Sequence, residues 1–331
     1  MEQQLLKRRV LLYTLAAALI IGLTATRIVF IVLFKKGNAH ASSITASLTQ
    51  SNTYEYPMYD VALAFGDSIT QRGFEYENSG WLIHLSEMYT RRMDILNRGF
   101  SSYNTSRARL VADIVFPMRR NNLDNVASVN EMAITSEAAL RRRASTESKW
   151  PSTDSTFPEY YPNVQLCTLF FGANDAVDPR DSRYVSLNEY SDNLEYLVNM
   201  LQDPNSDHYS PTTRIVIITP PAVGNVMSAE AFKNRGYTYA PQNNSLAQTY
   251  AEAAINVAKS RNLPYIDMWT AVEQLVEAVR QNATLMAGLN SDYDGYDAYL
   301  VDGLHLNSNG NELLFDLLSG TIESNWPEFT P

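Results

Sequence analysis

Ser68, in the run FGDSIT (65–70), directly follows an apolar segment, where a tight glycine exit would leave its hydroxyl at the head of a turn or helix. A serine hydroxyl is a weak nucleophile and needs an adjacent base. A base paired with a carboxylate stands far along the chain, in DGLH (302–305). Asp302 and His305 lie three apart, so a compact turn can bring the carboxylate to the imidazole Nδ1–H, fix the tautomer and leave Nε2 to face a serine. Two other runs carry hydrogen-bond donors. In FGAND (171–175) the Asn174 amide could donate to an oxyanion, and in NRGFSSYNT (97–105) the backbone N–H groups could do the same. Each run has a plainer reading when taken alone: a strand end with a helix cap for Gly-Asp-Ser, a surface turn for Asp-x-x-His, a turn asparagine for Asn174. All four in this order, on strand ends, are hard to obtain by chance.

Those runs sit in a regular alternation. Strand-like apolar segments occur at VALAF (61–65), MDILN (93–97), VQLCTLFF (164–171), RIVIITPP (214–221) and LPYIDMW (263–269). Helical stretches separate them, at about 80–92, 105–116, 187–201 and 245–261. Short apolar strands spaced by amphipathic helices imply a mostly parallel sheet covered on both faces. The expected class is α/β: a three-layer α/β/α, doubly wound, five-stranded domain with ligands at the carboxyl ends of its strands.

Ahead of this domain the chain reads differently. A short basic tail (1–9) precedes an apolar run from Val10 to Phe34, closed by Lys35 and Lys36 and long enough to cross a bilayer as a helix. The expectation is an uncleaved transmembrane signal-anchor over 10–34, then a polar linker over 35–58. Three basic residues before the span and two after it favour a single-pass protein with its catalytic domain lumenal or extracellular. Sequons occur at Asn104, Asn243 and Asn282, but such triplets arise often by chance, and Asn104 sits in a loop expected near the site, where a glycan would be awkward. Within the domain (59–325), residues 117–163 form a polar insertion that breaks the rhythm, with RRR at 141–143.

Composition excludes other classes. The net charge is −10, and because six of the basic and one of the acidic side chains lie in residues 1–36, the remainder holds 20 basic against 35 acidic groups. Such a surface repels phosphate backbones, so nucleic acid is not an expected partner. Cys167 is the single cysteine, which rules out an intrachain disulfide, and its apolar setting suits a buried, inert thiol. The other histidines (His40, His84 and His208) show no paired spacing, and Asp302 and His305 lack a third ligand, so no metal is expected.

The segments FGDSITQRGFE, NRGFSSYNTSRA, FFGANDA, ITPP, IDMWTA and DGLHLNSNGNELLF together resemble the SGNH, or GDSL, hydrolase family over about residues 60–320. They look most similar to its isoamyl acetate-hydrolysing esterase branch. The resemblance implies a flavodoxin-like fold and a serine esterase acting on a small ester through an acyl-enzyme, with no cofactor. It makes Ser68 the nucleophile, His305 the base and Asp302 its orienter, with Ser68, Ser102 and Asn174 forming the oxyanion hole. The family usually has glycine where Ser102 stands. If positive φ is needed there, serine strains the loop. A carbohydrate O-acetylesterase, a lysophospholipase and an inactive membrane-tethered binding protein are the competing readings. The tyrosines at 293, 296 and 299 suit either a substrate platform or packing.

Overall fold

A computed structural model describes residues 59–117 and 163–330 of the chain. Five strands form one parallel sheet: β1 (Asp60–Gly66), β2 (Met93–Gly99), β3 (Val164–Phe170), β4 (Arg214–Ile218) and β5 (Tyr265–Ile266). Their spatial order is β2-β1-β3-β4-β5, so the winding reverses beside β1 and opens a crevice between the ends of β1 and β3. The helices are α1 (Ser68–Gln71), α2 (Trp81–Met88), α3 (Thr105–Val115), α4 (Leu187–Gln202), α5 (Asn225–Asn234), α6 (Asn244–Ser260), α7 (Met268–Arg280), α8 (Ala283–Met286) and α9 (Ser308–Asn325).

The central strands are mostly apolar because both faces are covered. On one face Ala62, Ala64, Val216 and Ile218 meet Leu82 and Leu85 of α2, Val272 and Val276 of α7, and Leu314, Leu318 and Ile322 of α9. The last three recur every fourth residue, as one stripe of a helix must. On the other face Leu63, Phe65, Ile215 and Ile217 meet Ala108 and Ala112 of α3, Leu194 and Leu197 of α4, and Ala254 and Val257 of α6. Phe65 anchors this layer, with the rings of Phe100, Phe116 and Phe171 edge-on at 6.1, 5.6 and 5.0 Å, spacings that favour aromatic pairs beyond simple burial. Cys167 lies buried in β3, and burial pushes its thiol pKa up.

The expected three-layer α/β/α sheet is present, with differences at element ends. α2 stops at Met88 rather than near Arg92, and the chain reverses through Arg91 with φ 64° before β2. β5 shrinks to two residues because Asp267 accepts the Thr270 N–H and starts α7. Helices α5, α7 and α9 were not among the elements expected from the sequence. Asn104, at one sequon, is 4 % exposed and caps α3, with its amide donating to the Arg183 carbonyl at 2.6 Å, so it offers no room for a glycan.

The expected transmembrane helix ahead of the domain is corrected. Among the described residues no helix is long and apolar enough to cross a membrane, and the run 10–34 on which that expectation rested lies outside them. The single-pass, lumenal or extracellular placement rested on the same helix and is withdrawn with it. The linker 35–58 and nearly all of the 117–163 insertion also lie outside the described residues.

Candidate active site

The crevice between β1 and β3 receives a residue from each of the four runs. β1 ends in Gly66, and Asp67 then caps the short α1 by accepting the Ile69 N–H at 2.9 Å. Ser68 is therefore the first residue of α1, where an N–H has no helical partner. The end of β2 packs directly on this turn: a Cβ on Gly99 would lie 2.0 Å from the Gln71 nitrogen. Any larger residue would push the second run away from Ser68.

His305 reaches the same point from the opposite end of the chain. Leu300 and Leu306 bridge antiparallel, and the Val301 N–H donates to the His305 carbonyl at 2.8 Å, pinching 302–304 into a tight turn. Gly303 adopts φ +85° there, and a Cβ would stand 2.4 Å from the Ser228 nitrogen, so glycine meets both the conformational and the steric demand. Asp302 Oδ1 accepts the N–H groups of Leu304 and His305 at 3.2 and 3.0 Å, the Asx arrangement expected of an aspartate in a turn.

The distances link the three side chains. His305 Nε2 lies 2.9 Å from Ser68 Oγ, and His305 Nδ1 lies 2.9 and 3.0 Å from the two Asp302 oxygens. Burial works against the Asp302 charge, but the hydrogen bond and charge of His305 and the two backbone N–H groups outweigh it and hold the carboxyl well below its usual range. Arg235 Nη2 also touches Asp302 Oδ2, at 3.1 Å.

Asn174 is 3 % exposed and lines the crevice. Its Nδ2 donates to the Tyr103 carbonyl at 3.1 Å and to Asp67 Oδ2 at 3.3 Å, while its Oδ1 accepts from Arg183 Nη1 at 3.2 Å. Rotating the amide would set NH2 against a guanidinium and oxygen against two oxygens, so the orientation is fixed. An oxyanion here would have to take over one of these N–H bonds. The N–H groups of Ser68 and Ser102, by contrast, make no hydrogen bond among the described residues. Ser102 has φ +64°, the left-handed conformation that a glycine would adopt without strain.

Beneath the site are two buried carboxyls. Burial chiefly raises Asp67 to about 7, opposed by the Ile69 N–H and the Asn174 amide and reinforced by the charge of Asp175. Burial likewise raises Asp175 to about 7, opposed by the Thr105 hydroxyl and N–H. Asp175 Oδ2 has no hydrogen-bond partner among the described residues, a position that costs far more for a charged oxygen than for a neutral one.

A cleft of about 170 Å³ opens over Ser68, Ser102, Asn174, Asp302 and His305. Its remaining wall is one that sequence reasoning missed: Arg72, Ser101, Arg183, Ala231, Phe232, Arg235, Gln242 and Leu304. Arg72 carried a usable signal, since it lies four residues beyond Ser68 and so on the same side of a helical turn. Arg183 and Arg235 carried none. His84 pairs with Ser79 and His208 with Asp113 and the Pro117 carbonyl, so neither joins the cleft. The tyrosines pack instead of lining it: Tyr296 is buried with its hydroxyl on Glu273, and Tyr293 and Tyr299 lie against the same core.

A parallel 2-1-3-4-5 sheet with a Ser-His-Asp cluster at its switch point defines a class of α/β hydrolytic proteins. The chain belongs to the GDSL-like lipase/acylhydrolase family, whose model matches residues 63–318, and it is a hydrolase acting on ester bonds. It is similar to the human isoamyl acetate-hydrolyzing esterase 1 homolog, 29 % identical over 263 residues that cover 79 % of this chain and 80 % of the relative. It is also similar to a GDSL esterase/lipase of Arabidopsis thaliana, 27 % identical over 276 residues, covering 81 % and 88 %. Among solved structures, an acetylxylan esterase mutant from Geobacillus stearothermophilus aligns with TM-score 0.47 and 15 % identity, covering 80 % of this chain and 94 % of that one. The family match agrees with the resemblance read from the four runs.

Proposed function

We propose that the domain over 59–325 hydrolyses carboxylic esters of short acyl groups, with Ser68 as nucleophile, His305 as general base and Asp302 as its orienter. The observation that carries this reading is the 2.9 Å approach of His305 Nε2 to Ser68 Oγ, with Asp302 on the other ring nitrogen. His305 takes the hydroxyl proton as Oγ attacks the ester carbonyl, and the N–H groups of Ser68 and Ser102 with the Asn174 amide receive the oxyanion. His305 then gives the proton to the departing alcohol. Water, activated by the same imidazole, releases the acid from Ser68 and restores the site.

Cleft size and lining support a small acyl group. Its volume falls below the roughly 300–1,000 Å³ of pockets that enclose drug-sized ligands, and of its lining residues only Ala231, Phe232 and Leu304 have apolar side chains. That lining favours an acetyl-sized acyl group over the long chain that a lysophospholipase would have to bury. The test is labelling with a fluorophosphonate probe, which reacts with an activated serine. Wild type should label and Ser68→Ala should not. A folded wild-type protein that fails to label, or a Ser68→Ala variant that still turns over esters, would end the reading.

A further inference from the structure

The cleft wall is basic in a protein that is otherwise acidic. Arg72, Arg183 and Arg235 line it, against the single carboxylate of Asp302. Two of these cations are already matched: Arg183 forks onto both oxygens of Asp181 at 2.9 and 2.8 Å, and Arg235 touches Asp302. Arg72 is different. The residue is half-buried, and its guanidinium has no ion pair or hydrogen bond among the described residues. A guanidinium costs free energy to desolvate and is seldom left half-buried without an anion. Here it stands in the cleft that holds Ser68, four residues along the same chain segment.

We propose that the site selects esters whose alcohol portion carries a negative charge, a carboxylate or phosphate, received by the unpaired guanidinium of Arg72. This rests on the esterase reading above. The charge is assigned to the alcohol portion because the cleft of about 170 Å³ must hold an acetyl-sized acyl group at Ser68 and leaves the larger part of the ester to meet Arg72. The positive charge of Arg72 in the cleft offers such a substrate a local attraction that the overall charge of −10 would otherwise deny it.

The test uses the full chain and a matched pair, 3-acetoxybenzoate and its neutral isostere 3-acetoxybenzamide, with active sites counted by fluorophosphonate titration. The ratio of kcat/KM, anionic over neutral, should exceed about tenfold, the scale of one charge-assisted hydrogen bond. It should shrink as ionic strength rises. Arg72→Gln should collapse the ratio chiefly through KM, and Arg72→Lys should restore part of it, because a point charge replaces a fork. A ratio near one in wild type, or a ratio that Arg72→Gln leaves untouched, overturns the inference while leaving the esterase reading intact. Hydrolysis of neither ester by labelled, folded protein overturns the inference too. Absence of labelling altogether would instead bring down the esterase reading on which it stands.

Discussion

Ser102 holds a backbone conformation that most side chains avoid, and it does so at the lip of the cleft. The left-handed region costs a non-glycine residue about 1–2 kcal/mol, whereas glycine's greater freedom in the unfolded chain costs about 0.5–1 kcal/mol. Ser102→Gly should therefore stabilise the fold by about 0.5–1 kcal/mol, read as a higher urea midpoint with unchanged slope, and it should not lower turnover. A lower midpoint would show that the Ser102 loop is unstrained. Asn174 gives the contrasting case. Its N–H bonds are spoken for by Tyr103 and Asp67 before substrate arrives, so under the proposed mechanism its donation to an oxyanion is an exchange rather than a new bond. Losing one oxyanion donor commonly costs about 10²–10³ in turnover. Because of that exchange, Asn174→Ala should fall at or below the lower end of this range, in kcat rather than KM. A loss equal to that of Ser68→Ala would mean Asn174 acts in more than oxyanion binding.

The turn that presents Asp302 and His305 depends on an element boundary, where the 302–304 loop lies against α5. A Cβ on Gly303 would meet the Ser228 nitrogen at 2.4 Å and the Gly224 carbonyl at 2.6 Å, and φ is +85°. Gly303→Ala should cost about 1–3 kcal/mol in strain alone and slow fluorophosphonate labelling by at least about tenfold through displacement of His305. Gly320 is the control: it lies within α9 with open space around it, so Gly320→Ala should stabilise by about 0.5–1 kcal/mol and leave labelling unchanged. Equal effects at the two sites would remove the special role given to the turn. At this scale much of the molecule was legible. The apolar runs of β1, β3 and β4 mark their strands because a doubly covered parallel strand has no polar face to disguise it, while the edge strand β2 shows only the short run around Ile95 and Leu96. α3, α4 and α6 show their stripes plainly. α9 was missed because its first turn, SNGNE, is as polar as the loop before it: the first residues it buries are Gly310 and Asn311, and apolar ones follow only from Leu314. α5 was missed because only Met227, Ser228 and Phe232 of its ten residues are buried. The order of strands, and with it the crevice beside β1, follows from pairing between distant segments and has no local signal. The same holds for Arg183 and Arg235, since an arginine carries the same signature on an open surface as on a cleft wall.

Two carboxyls buried beneath the candidate site give the whole molecule a pH dependence with a definite sign. Asp67 and Asp175 both have folded pKa values of about 7, against about 3.9 in an unfolded chain. The folded protein therefore binds their protons more tightly. Their stabilising contribution is complete below about pH 4 and is lost as pH rises through about 7. Asp302 acts in the opposite sense: its depressed pKa contributes stability above about pH 4, which disappears only as pH falls through its folded value. Between about pH 4.5 and 7.5 the two buried groups dominate, with a limiting slope of about 1.4 kcal/mol per pH unit for each. Urea midpoints should fall across that interval and level off above it. Asp175→Asn keeps an acceptor for Thr105 and removes one titrating group, so it should flatten the decline by about half. A wild-type midpoint that is level from pH 4.5 to 7.5 would mean that both carboxyls are ionised throughout. The unpartnered Asp175 Oδ2 would then have to be a bare buried charge, a state that should cost several kcal/mol and that the measured stability would have to reveal.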